Sequence, residues 1–127
     1  MPMSNYLKNA LVNVTLRNTA YTAPVTAYVA LYTSDPTAAD AGTEVTGGAY
    51  ARQSAAFNAP TNGVTANTAN VTFPTATAEW GTVTHVGVRD ALTLGNLLYY
   101  APLTTARAIL TNDQLIILAG QLTDTLT

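Results

Sequence analysis

At 127 residues the chain is long enough to build one domain with a core of its own, and without cysteine neither disulfides nor thiolate metal sites can contribute to it. Only 9% of residues are charged, against about 25% in an ordinary soluble domain, and the net charge is −2. The five cations, Lys8, Arg17, Arg52, Arg89 and Arg107, are spread along the chain, which excludes a phosphate-tracking basic surface, and no run of about 18 apolar residues exists to span a membrane.

The opening residues lack the basic-then-apolar order of a secretory signal, so a non-secreted protein is expected. A helix follows. Ser4 can cap it, and Leu7, Ala10, Leu11 and Val14 fall at i, i+3, i+4 and i+7 to make one apolar stripe. The helix should end across residues 16–18. Its stripe either packs on its own domain or docks on a neighbouring chain, which makes Leu7, Leu11 and Val14 candidate interface residues.

After Pro24 the period changes to two. Residues 25–32 are rich in β-branched and aromatic side chains and read as a strand that stops at Ser34-Asp35-Pro36. Residues 37–48 are small and polar and read as a loop, and residues 49–57 as the next strand. Asn62-Gly63 is a turn pair. Ala69, Val71 and Phe73 should share a face, with Pro74 ending that strand. Over residues 82–89, Thr84, Val86 and Val88 should oppose Val83, His85 and Gly87. Gly95-Asn96 turns the chain into residues 97–100, closed by Pro102. Residues 107–111 and 114–119 should form a hairpin across Asn112-Asp113, and residues 122–126 a last strand. One helix and about eight short strands predict a mainly β domain, a β-sandwich or jelly-roll-like fold. The whole of 1–127 is then a single domain, with the helix in 1–18 and the sandwich in 24–127.

Catalytic chemistry has little to work with. His85 is the only imidazole and lies mid-strand, with no glycine-flanked elbow to present a nucleophile to it. Asp35, Asp40 and Glu44 share a loop but lack the alternating spacing of a calcium loop, so they read as solvated charges. Gly47-Gly48 is followed by Ala49-Tyr50 rather than by lysine and a helix, so no phosphate cradle is expected. Trp80 beside Gly81 reads as a core plug, with stacking on a sugar as the alternative. The expectation is a protein that is not an enzyme and uses no cofactor or metal. A surface so poor in charge, with almost no lysine to protect sheet edges, favours self-association.

Several segments together resemble a known family. They are Ala20-Tyr21 through Pro24, then Tyr28-Val29-Ala30-Leu31-Tyr32-Thr33-Ser34-Asp35-Pro36-Thr37, and Gly42-Thr43-Glu44-Val45-Thr46-Gly47-Gly48-Ala49-Tyr50-Ala51-Arg52. The third runs over residues 73–91, with Glu79-Trp80-Gly81 and His85-Val86-Gly87-Val88-Arg89-Asp90-Ala91 at its centre, and continues into Gly95-Asn96-Leu97-Leu98. The chain is similar over nearly its whole length to small virion proteins of tailed bacteriophages usually labelled phage tail fibre proteins. The resemblance implies a structural protein of the virion and brings no catalytic motif. A domain this size is only about 30 Å across, so it can be a knob but not a shaft. The favoured expectation is a homotrimeric capsid decoration or cement knob, docked on other virion proteins such as the major capsid protein. The alternative is a tail fibre or baseplate appendage contacting tail components and the host surface. For that alternative Asp35, Asp40, Glu44 and Trp80 are the candidate receptor residues. Neither nucleic acid nor a membrane is an expected partner.

Overall fold

The computed structural model describes residues 1–126. Helix α1 (Asn5–Leu16) begins where the sequence places its cap. The Ser4 hydroxyl accepts the Leu7 N–H at 3.1 Å and donates to the Leu97 carbonyl, so one buried side chain both caps the helix and ties it to the sheet. The helix stops because Asn18 takes a left-handed conformation (φ 52°), which returns the Thr19 N–H to the Asn13 carbonyl.

The strands are β1 (Ala27–Tyr32), β2 (Gln53–Ala55), β3 (Val64–Ala66), β4 (Val71–Thr72), β5 (Gly81–Arg89), β6 (Leu97–Ile109), β7 (Ile116–Ile117) and β8 (Thr123–Thr125). Four of them form an antiparallel sheet in the order β2-β1-β5-β6, and β3–β8 and β4–β7 form two short antiparallel ladders. The result is a sandwich-like, mainly β domain with open sheets.

The central strand β1 is buried on both faces, which is why it reads as a near-continuous apolar run. Val29 and Leu31 join Val83, Val86 and Val88 in the main core, which Phe73, Leu115 and Leu122 close from the side of the small ladders. Ala30 and Tyr32 face the other way and pack with Leu97 and Tyr100. Gly87 lies under that second cluster. A Cβ there would come within 2.8 Å of both the Tyr32 ring and the Leu97 side chain, so the position needs glycine for close approach rather than for its dihedrals.

Several expectations change. Pro102 does not close a strand, because β6 runs straight through it as an edge strand, where a missing N–H costs no ladder bond. Residues 107–111 and 114–119 do not pair with each other. Asp113 does cap a tight turn by accepting the Leu110 N–H at 2.9 Å, but the chain then crosses to β4, with the Phe73 N–H on the Leu115 carbonyl. The expected alternation along β5 breaks at Thr84. Val83 pairs with Arg107 but His85 with Pro102, so residues 103–106 bulge out of β6 and Val83 faces the same core as Val86 and Val88. Asn62-Gly63 forms the expected two-residue turn, with φ 52° and 79° and reciprocal bonds between Thr61 and Val64. The strand that leaves this turn, β3, pairs with β8 and has no counterpart among the sequence expectations. The strand expected over 49–57 contracts to β2, and Ala69 is exposed rather than sharing the buried face of Val71 and Phe73.

Gly87→Ala should reduce the unfolding free energy by about 1–3 kcal/mol through overpacking. Urea unfolding followed by circular dichroism measures it, and an unchanged midpoint would mean that the Tyr32 ring and Leu97 yield without cost.

Candidate interaction surfaces

The loop between β1 and β2 and the turn between β5 and β6 close on themselves through local backbone bonds, such as Ala41 N–H to Pro36 and Asp90 N–H to Asn96, and two arginines hold them together. Arg52 donates through Nε and Nη2 to the two carboxylate oxygens of Glu44 at 2.8 and 2.7 Å, and through Nη1 to the carbonyls of Ala91 and Leu94, both at 2.8 Å. Arg89, at the end of β5, donates to the two oxygens of Asp40 at 2.8 and 2.9 Å, to the Tyr32 hydroxyl at 2.9 Å and to the Gly95 carbonyl at 3.0 Å. Both guanidinium groups are buried and both use the planar two-pronged geometry that only arginine offers a carboxylate.

This environment moves the titrating groups. Burial alone would raise the Glu44 carboxyl, but the hydrogen bonds from Arg52 and Tyr50 and the guanidinium charges outweigh it and hold it below the usual value of 4.5. Tyr50 is pushed well above the ordinary phenol range by burial and by donating its hydroxyl proton to Glu44 at 2.7 Å. For Arg89 burial works against the charge, but the bonds to Asp40 and Tyr32 win and keep it protonated.

The candidate receptor residues are therefore not a free patch. Asp40 and Glu44, expected as solvated charges, are each engaged by a buried arginine, whose remaining N–H groups go mainly to loop carbonyls and, for Arg89, to the Tyr32 hydroxyl, with the buried Arg89 Nε left unpartnered. Asp35 is exposed, accepts the Thr37 N–H at 2.9 Å and lies 3.8 Å from His85 Nε2. The three carboxylates thus have three different partners and do not converge. Trp80 is buried, donates Nε1 to the Gly48 carbonyl at 2.8 Å and meets the Tyr50 ring edge-on at 5.4 Å. It presents no open face for stacking. Thr84 Oγ1 lies 2.8 Å from His85 Nδ1.

The expected interface stripe turns inward only at its start. Leu7 is buried, Leu11 half-buried and Val14 exposed near the helix end, with α1 packed against β6. Val12 and Leu16, one turn apart and off the stripe, are exposed along with Val14. Two further apolar features were missed. Leu92 and Leu94 stand out from the β5–β6 turn, and Leu110, Ile116 and Leu118 are exposed around β7. Two leucines inside an otherwise small, polar turn were the readable signal for the first. For Arg89 the signal was a cation at the end of an apolar strand run, which calls for a partner.

Every cation in a clasp is turned onto the chain's own loops, and the side chains left facing water are largely neutral. With this surface, the resemblance drawn from the sequence is to phage structural proteins, and that class is what the comparison with known families returns. The chain belongs to the family described as Podophage GP4 fiber I protein gp80, whose model matches residues 2–125. No curated protein matches the chain. A protein of a phage fibre family is a component of the virion.

A depressed folded-state pKa means that Glu44 contributes its full stabilisation above its unfolded value and loses it as pH falls through the folded one. Glu44→Gln should therefore be less stable than the parent by about 2 kcal/mol at neutral pH, since it loosens a mostly buried pair. The difference should shrink as pH drops below the carboxylate range. Urea midpoints at a series of pH values measure it, and a pH-independent difference would remove the ionised carboxylate from the explanation.

Proposed function

We propose that the chain is a compact contact module of a phage fibre, which associates with copies of itself and docks on neighbouring virion proteins without carrying out chemistry. The observation that supports it most directly is the fibre-family match across residues 2–125. The description of that family favours an appendage over the capsid decoration or cement knob that the sequence favoured. Physical character agrees with a contact role. Two of the five cations are engaged within the fold by Glu44 and Asp40, so few charges remain to keep copies apart, while Leu16, Leu94 and Leu118 are among the large apolar side chains open to solvent.

Attachment would work by repetition. Several modest contacts per assembly, presented by symmetric copies, add through effective concentration and need no single large interface. A threefold assembly is the expected order. Because apolar area rather than charge carries the contacts, assembly should respond weakly to salt.

Immunogold labelling of intact virions with antibody to this chain tests the location. Gold confined to the tail or its fibres is expected. Gold spread over the head would replace the appendage with the decoration knob, and a virion free of the protein by mass spectrometry would end both readings.

A further inference from the structure

We propose that the β5–β6 turn of one copy docks into the groove between β6 and β7 of a second copy, so that the chain associates head to tail. This rests on the reading above that the chain works by self-association, and it names the two surfaces involved.

The turn is built as a fixed apolar tip. Leu92 and Leu94 are 51% and 84% exposed. Leu94 also sits at φ 55°, a left-handed conformation that leucine disfavours, and it is held there by the clasp. Arg52 takes the carbonyls of Ala91 and Leu94, Arg89 takes that of Gly95, and Asp90 accepts both the backbone and side-chain N–H of Asn96 at 2.7 and 3.0 Å. A bulky apolar residue held in a strained conformation and aimed at water adds nothing to the packing of its own fold. Strain of this kind points to use elsewhere. Since the turn is already rigid, contact would order little that is not ordered beforehand.

The groove has the matching character. It measures about 440 Å³ and runs between the bulge of β6 and strand β7, with Leu103, Thr104, Ile116 and Leu118 in its walls. Ile116 and Leu118 are 45% and 57% exposed. Arg107 is the single charged side chain in its lining, and it forms no ion pair among the described residues. Asp113 lines the neighbouring depression beside Arg107, with its carboxylate on the Leu110 N–H. On the other partner, Asp90 at the root of the turn is likewise in no ion pair. Seating the tip in the groove therefore sets two leucines on an apolar wall and brings the carboxylate of the turn toward the cation of the groove. The turn closes one end of the β5–β6 hairpin, whereas the groove lies along its far half. Two different surfaces of one chain make a heterologous contact, which closes into a ring when the rotation permits.

The test uses Leu94→Asn, Leu118→Asp and the parent chain in sedimentation velocity, with folding checked by circular dichroism. Asparagine tolerates the left-handed conformation, so Leu94→Asn should raise the thermal midpoint while weakening self-association by more than about tenfold, a combination a purely structural role would not give. Leu118→Asp should weaken it as much with the fold unchanged. Mixed one to one, the variants should form pairs that neither forms alone, because each retains the surface the other lacks. Leu92→Ser and Ile116→Asp replace either variant that fails to fold. A parent chain that stays monomeric at all attainable concentrations would overturn the inference together with the self-association it rests on. Parent assembly retained by either variant, or a mixture that stays monomeric, would overturn the head-to-tail contact alone.

Discussion

The two arginine clasps are the constraint on which the upper end of the domain depends. The β1–β2 connection runs from Thr33 to Arg52 with one isolated bridge, Tyr32 to Glu44, as its regular pairing to the sheet. A connection of that length, left to itself, would carry a large ordering cost and many unpaired backbone groups. Arg89 and Arg52 fix it at two carboxylates, Asp40 and Glu44, and join it to the carbonyls of the β5–β6 turn. The end next to β2 is fixed by Tyr50 as well, its ring stacked on Phe73 at 6.2 Å and its hydroxyl accepting the Leu31 N–H at 3.0 Å. Removing either guanidinium would free two loops rather than one.

The sheet edge is handled by shape instead of charge. Lysine is the usual guard of an exposed edge, and this chain has one, on the helix. On β6 the first half is covered by the segment before α1, through the Met3–Tyr99 bridge and the bond from the Tyr100 N–H to the Pro2 carbonyl. The second half carries Pro102 and the 103–106 bulge, which interrupt the row of donors and acceptors an incoming strand would need. A bulge of that size also opens the groove beside β7. The device that blunts backbone pairing at the edge leaves side-chain contact as the way another molecule can meet this surface.

The sequence carried the local structure well and the long-range pairing poorly, for identifiable reasons. Ser4, the Asn62-Gly63 turn and the buried run of β1 act through neighbours a few residues away, so their chemistry is readable in place. Pro102 was misleading because its effect depends on whether a strand lies at an edge, which the local pattern does not state. The partners of β7 and β8 come from β4 and β3, far back in the chain, and a two- or three-residue strand has too little periodicity to announce itself. Of the candidate residues, Trp80 as a core plug follows from Gly81 beside it, whereas Asp40 and Glu44 looked solvated because their partners, Arg89 and Arg52, lie 49 and 8 residues on. The same clasp hid the exposed Leu94, since nothing in a turn sequence reveals that its carbonyls are held from outside.

Charge placement ties these features together. A chain with 9% charged residues has few ions to distribute, and here two buried cations each hold a loop carboxylate to stiffen the loops. Ion pairs of this kind, with a buried guanidinium and a partly exposed carboxylate, add little net stability compared with apolar packing, but they are demanding in geometry and so specify one arrangement of the loops they join. The consequence at the surface is opposite in sign. Outside the clasps, neutral threonine, asparagine and alanine mix with isolated leucine, isoleucine and valine, and repulsion between copies is weak. Rigid loops on one side and a sparsely charged exterior on the other are the two properties a repeated contact module requires, since the first fixes the orientation of each contact and the second lets copies approach.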